Sequence, residues 1–150
     1  MLPPLFIFDL DSTLADLDHR RPILETTSST KWDDFYRACA DDPPIMQVIA
    51  TYKLLLQAGA ELWIWTGRSE IVRHTTLDWL RKHIGDHEFN LIMRDHGDFT
   101  PDDILKKQWL DNMLVDDRRR LVAAFDDRTR VVNMWRNAGV QCFQVAPGDF

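Results

Sequence analysis

Short continuous apolar runs alternate along the chain with longer stretches whose apolar residues recur every three or four positions. The first run, "LFIF" at Leu5 to Phe8, has no polar face, as a strand covered on both sides requires. Ile45, Val48, Ile49, Tyr52, Leu55 and Leu56 keep helical spacing, and Gly59 ends that helix before a second run, "LWIW". The pattern then predicts a helix from Glu70 to His83 and a strand at "FNLIM". It continues with a helix opened by Pro101 over "PDDILKKQWLDNM", a strand at "LVAAF", a helix over "RTRVVNMWRNAG" ending at Gly139 and a last strand at "VQCFQV". Periodicity weakens from Leu14 to Pro44, where "ETTSST" reads as loop and "KWDDFYRACA" as a short helix stopped by "DDPP", so this stretch is expected to be an insertion. Strands alternating with helices specify an α/β fold: one domain over residues 1–150, built on a parallel sheet with right-handed crossovers. Ligands of such sheets sit beyond the carboxyl ends of the strands.

Composition narrows the class. With 45% hydrophobic and 28% charged residues and six tryptophans, the chain has the balance of a globular protein. Its opening "MLPPLFIFDLD" lacks a basic start and no run of eighteen apolar residues occurs, so a cytoplasmic protein is expected. The net charge of −6 argues against a protein that coats nucleic acid along its length, while leaving room for a local basic groove. Cys39 and Cys142 stand apart from each other and from any CxxC pattern, which favours buried thiols over a disulfide or zinc site.

Polar residues fall where the strand-end rule places a site: Asp9 after "LFIF", Thr66 after "LWIW" and Asp126 after "LVAAF". Any one alone is as well explained by a cap or a turn. Two acidic pairs compete, because "VDDRRR" at Asp116 and Asp117 imitates "FDDRTR" at Asp126 and Asp127. Only the second follows a strand and precedes a helical pattern, so Asp126 and Asp127 are chosen and Asp116 and Asp117 read as a solvated turn. His83 and His87 have metal-like spacing, but Gly85 and Asp86 break the helix that would align them. Trp63 and Trp65 belong to an apolar strand and are assigned to the core.

Together, "DLDST" after one strand, "TGR" after the next, a Lys in a later helix and "DD" after a fourth strand resemble the haloacid dehalogenase (HAD) superfamily of phosphotransferases. "RDHGDFTPDDILKK" and "FDDRTRVVNMWRNAGVQCFQVAPGDF" are similar to the 3'-phosphatase half of phage polynucleotide kinase/phosphatases, with residues 14–44 matching least. The resemblance implies a Rossmann-like parallel sheet with a small insertion in place of a full cap domain. It selects Lys106 over Lys107 as the phosphate lysine, has Asp102 position Lys106, and assigns Arg20 and Arg68 to substrate phosphates. It also implies action on nucleic acid termini by an enzyme without kinase activity, since no Gly-rich loop ending in Gly-Lys-Ser/Thr is present.

The chemistry of these side chains agrees with phosphoryl transfer, which needs an in-line nucleophile, an acid or base, and positive charge at the equatorial oxygens. Asp9 is the expected nucleophile and Asp11 the acid/base. Thr66 and Gly67 present a hydroxyl and amides to the phosphoryl group at the start of a helix. Asp9, Asp11 through its carbonyl, Asp126 and Asp127 are the expected ligands of Mg²⁺, which two carboxylates facing a phosphate dianion require. The small insertion is expected to leave an open mouth. A polynucleotide 3'-phosphatase and a mononucleotide phosphatase both fit, and a non-catalytic end-binding module fits less well because every chemical position is filled.

Overall fold

The computed structural model describes residues 1–150. Five parallel strands form one sheet in the order β3-β2-β1-β4-β5: β1 Leu5–Phe8, β2 Glu61–Ser69, β3 Asn90–Arg94, β4 Leu121–Asp126 and β5 Gln141–Gln144. The chain begins at the centre, builds outward to β3, then returns to β4 on the other side of β1. That reversal opens a crevice between the carboxyl ends of β1 and β4.

Helices α2 (Met46–Gln57) and α3 (Arg73–His83) cover one face of the sheet, where Ile49, Tyr52, Trp79 and Leu80 pack on Phe8, Leu62, Ile64 and Leu91. Helices α4 (Asp102–Asp111) and α6 (Thr129–Asn137) cover the other, where Trp135, Val131, Val132 and Leu110 surround Ile7, Trp65 and Ala124. Trp65 stacks on Trp135 at 5.5 Å and meets the Trp109 edge at 5.8 Å, so its place is the core. Trp63 lies beside it at 6.5 Å, partly buried. Cys39 and Cys142 are free and buried on opposite faces. Burial pushes both thiols up, Cys142 to about 12, so neither is a reactive thiolate.

Three elements differ from the sequence pattern. The second strand does not stop at Trp65: it continues through Thr66, Gly67 and Arg68, with a bulge between Thr66, opposite Met93, and Ser69, opposite Arg94. The helix expected from Glu70 opens instead as a 3₁₀ turn at Glu70–Val72, capped by the Ser69 hydroxyl accepting from the Ile71 amide, and α3 starts at Arg73. Residues Val115–Arg120 are not a turn but a short helix, α5, with its acids in the first turn and its arginines in the last, matching the helix dipole. The 14–44 insertion folds as a 3₁₀ segment at Asp18–Glu25, helix α1 at Lys31–Arg37 and a 3₁₀ turn at Ala38–Asp41. It docks through Leu17, Phe35, Tyr36 and Cys39 onto the α2/α3 face.

Candidate active site

Asp9 directly follows β1, and its amide donates to the Phe125 carbonyl at 2.9 Å, tying the ends of β1 and β4 together. The chain then doubles back: the amides of Thr13, Leu14 and Ala15 all donate to the carbonyl of the fully buried Leu10. Ser12 takes a left-handed conformation, φ 62°, to make this turn. Asp9, Asp11 and Thr13 are thereby gathered at one strand end. Lys106, from the second turn of α4, donates to Asp9 Oδ1 at 2.8 Å and Asp126 Oδ2 at 2.7 Å, and all three side chains are buried. Thr13 Oγ1 donates toward Asp9 Oδ2 at 3.2 Å and Asp127 Oδ1 at 3.3 Å.

Asp9, Asp126 and Asp127 hold carboxylate oxygens within 4.8 Å of one another. One lysine faces three carboxylates, and the crowding is visible in the protonation of Asp9 and Asp127. Burial, then the Asp126 charge, raises the Asp9 carboxyl well above the ordinary range, and the same causes push Asp127 up to about 6. Burial works against the Lys106 charge, but Asp126 and Asp9 outweigh it and keep the ammonium charged. An all-oxygen donor set with excess negative charge suits a hard divalent cation of the Mg²⁺ kind.

The Asp11 carboxylate faces another group. Arg20 Nη2 and Arg68 Nη2 donate to its Oδ1 at 2.7 and 2.5 Å, and both guanidiniums are also held by Asp42, whose carboxylate accepts from Arg20 Nε at 2.9 Å, Arg20 Nη2 at 2.8 Å and Arg68 Nη2 at 3.2 Å. Burial alone would lift the Asp11 carboxyl; Arg68 and Arg20 overcome it and hold the group below its ordinary value. Both arginines are at most 1% exposed and neither lines the cavity. The expectation that they face substrate phosphates is therefore corrected: they sit behind Asp11 and fix its orientation.

Two further assignments change. Asp102 does not touch Lys106; its carboxylate accepts from Arg94 Nη2 and, at 2.8 Å, from Arg128 Nη1. Asp102 thus joins the end of β3 to the loop after β4. Gly67 has a packing reason, because a Cβ there would lie 2.5 Å from Asp102 Oδ1. The Thr66 hydroxyl accepts from the Arg68 amide at 3.1 Å and Thr66 lines the cavity, but no helix begins there. Lys107 pairs with Asp111 on the exposed side of α4, and the exposed Asp116 stands 4.0 Å from Arg119, so neither reaches the site. His83 packs on Trp79 and His87 on Phe89.

Asp9, Asp11, Lys106, Asp126 and Asp127 open into a cavity of about 460 Å³. Leu17, Arg21, Leu24, Trp32, Phe35 and Tyr36 from residues 14–44 supply one wall. Arg94, Phe99, Arg128, Arg130 and Phe150 contribute others.

The polynucleotide kinase PNKP phosphatase-domain family matches residues 3–150. The chain belongs to this family. It is a HAD phosphatase resembling the polynucleotide kinase 3'-phosphatase domain. Over 136 residues it is 30% identical to a protein of Autographa californica nuclear polyhedrosis virus named as a bifunctional polynucleotide kinase/RNA ligase, covering 90% of this chain and 18% of that protein. Among solved structures, a chain of the Pnkp1/Rnl/Hen1 complex superposes with TM-score 0.80 at 33% identity, over 99% of this chain and 48% of that one. The class C acid phosphatase of Bacillus anthracis shares the fold, with TM-score 0.67 at 14% identity over 99% of this chain and 67% of its own. The phosphatase spans about half or less of the first two relatives.

Sequence reasoning missed Asp42, Thr13, Arg94 and Arg128. Thr13 stood inside "DLDST", the fifth residue of the motif, and could have been read as a partner of Asp9. Asp42 looked like one of two acids stopping a helix before prolines, and nothing local marked it as the buried partner of two arginines.

Proposed function

We propose that this chain is a Mg²⁺-dependent polynucleotide 3'-phosphatase domain that works through an aspartyl-phosphate on Asp9. The observation that carries the chemistry is the buried Asp9, Asp126 and Asp127 cluster against the single charged Lys106, at the cavity floor. Asp9 Oδ2 attacks the phosphorus in line and the ester bond to the 3' oxygen breaks; water then attacks the same phosphorus and releases phosphate, restoring the carboxylate. Lys106 orients the Asp9 carboxylate through Oδ1, leaving Oδ2 with only the weak Thr13 contact. Asp9, Asp126, Asp127 and the Asp11 carbonyl would hold Mg²⁺, which supplies positive charge for a phosphoryl dianion that the carboxylates would otherwise repel.

Asp11 handles protons. Arg20 and Arg68 keep it ionised at rest, the state needed to take a proton from the attacking water in the second step. A phosphate dianion arriving beside it raises its proton affinity, so Asp11 takes up a proton from solvent as substrate binds and gives it to the leaving 3' alkoxide in the first step. Asp42 holds both arginines and so positions Asp11. Support for nucleic acid ends comes from the family match and from four arginines, Arg21, Arg94, Arg128 and Arg130, on the cavity wall. The net charge of −6 favours the rival reading, a mononucleotide phosphatase using the same chemistry. The two separate on a panel of 3'-phosphorylated oligonucleotides, 5'-phosphorylated oligonucleotides and free 3'-nucleotides, with EDTA and Mg²⁺ arms. The expected result is highest kcat/KM on the 3'-phosphorylated oligonucleotide, abolished by EDTA and restored by Mg²⁺. Equal efficiency on free nucleotides would move the assignment to the rival.

A further inference from the structure

The tail after β5 is tightly bound to the catalytic loop. The Val145 amide donates to the Asp126 carbonyl at 3.1 Å, the Thr129 amide to the Gly148 carbonyl at 2.8 Å, and Arg128 Nε to the backbone oxygen of Phe150 at 2.8 Å. Gly148 lies so close that a Cβ would stand 2.0 Å from the Asp127 carbonyl oxygen. These contacts fix the Phe150 ring on the cavity wall with about half its surface still exposed. Two guanidiniums flank it: Arg128 at 5.0 Å from the ring centroid, and Arg21, from the insertion, at 5.2 Å. Arg128 is anchored through Asp102, and Arg21 through Asp18 at 2.8 Å. A large apolar ring left half in water gains little for folding, yet here the residue's own amide donates to the Gly148 carbonyl at 2.9 Å and its backbone oxygen accepts from Arg128.

We propose that Phe150, clasped by Arg21 and Arg128, is a specificity-determining residue that stacks on the base of the nucleoside carrying the 3'-phosphate. This rests on the polynucleotide reading above and names the part of the cavity that recognises the nucleoside. An immobilised aromatic ring with guanidiniums over it and about half its surface open offers both kinds of plane on which unpaired bases stack, with little preference among the four. The cavity has the volume of a small-ligand site, and the clasp bridges its two sides, the insertion and the loop after β4. Arg21 belongs to the segment that the sequence pattern described least well, and this contact gives that segment a role.

The test is the ratio of kcat/KM on a 3'-phosphorylated oligonucleotide with an ordinary terminal base to that on the same oligonucleotide with an abasic 3'-phosphorylated end. Wild type is expected to favour the base-bearing end. Phe150→Leu should reduce the ratio about tenfold, the size of one lost base-aromatic stack, while Phe150→Trp preserves or raises it and Arg21→Gln reduces it by less. Recovery by Trp separates stacking from general damage to the tail. A ratio unchanged in Phe150→Leu, or a wild type indifferent to the base, overturns the proposal while leaving a 3'-phosphatase intact. Failure of the wild type to prefer oligonucleotide ends over free 3'-nucleotides would instead remove the polynucleotide reading on which it rests.

Discussion

At the scale of single residues, position along a strand carried most of the information. Asp9 and Asp126 were legible because an acid after a short apolar run stands at a strand's carboxyl end, and the sheet brings those ends together. Arg20, Arg68 and Asp102 were legible as chemistry but not as contacts. Several of their partners lie far away in sequence: Arg68 is 57 residues from Asp11, and Asp102 pairs with Arg128 26 residues on. The crowded carboxylates yield a prediction about pH. Without metal, the folded state keeps a proton on Asp127 up to about pH 6 and on Asp9 in the same direction, whereas the unfolded carboxyls release theirs near pH 4. The native state binds more protons across that window, so stability should fall as pH rises through it. Asp11, held low, acts only below the window, losing its contribution as pH drops further. His83, held low by burial and Lys82, acts in the opposite sense, so the wild type is best compared with Asp127→Asn. In EDTA, Tm should decline from pH 5 to 7 more steeply in wild type than in Asp127→Asn, and Mg²⁺ should reduce the decline by favouring the ionised carboxylates. Identical wild-type profiles in EDTA and Mg²⁺ would contradict the cluster's assignment to the metal.

At the scale of elements, all five strands and the helices between them other than α5 followed from apolar periodicity, because a strand covered on both faces and a helix covered on one leave different patterns. What failed was detail that only pairing determines. The bulge in β2 depends on β3 as a partner, and helix α5 was obscured by having no buried residue at all. The turn after β1 offers a clean test. Ser12 adopts φ 62°, which costs an L-residue about 1–2 kcal/mol and glycine little. Its hydroxyl gains only a long, exposed contact from Arg21 at 3.4 Å. Ser12→Gly should therefore stabilise the fold by about 0.5–1 kcal/mol, after the added freedom of glycine in the unfolded chain is subtracted. Chemical denaturation reads this directly, and a loss of stability would mean that the hydroxyl contributes more than its geometry indicates.

At the scale of the whole molecule, the site is a composite of pieces that are individually ordinary. The sheet supplies Asp9 and Asp126, α4 supplies Lys106, the insertion supplies Arg20, Asp42 and one cavity wall, and the tail closes back over the loop after β4. The sheet part was readable because it repeats a simple rule. The insertion and tail were not, since their roles come from docking onto distant surfaces through contacts such as Trp79 Nε1 to the Asp42 carbonyl. The central claim is that Asp9 carries the phosphoryl group. Its most direct test is rapid acid quenching of the Mg²⁺-loaded phosphatase during turnover of a 3'-phosphorylated oligonucleotide, followed by peptide mass analysis. The predicted result is one phosphoryl group on the peptide containing Asp9, absent in Asp9→Asn together with all turnover. Phosphate release in a clean Asp9→Asn preparation, or a phosphoryl group on another residue, would contradict it.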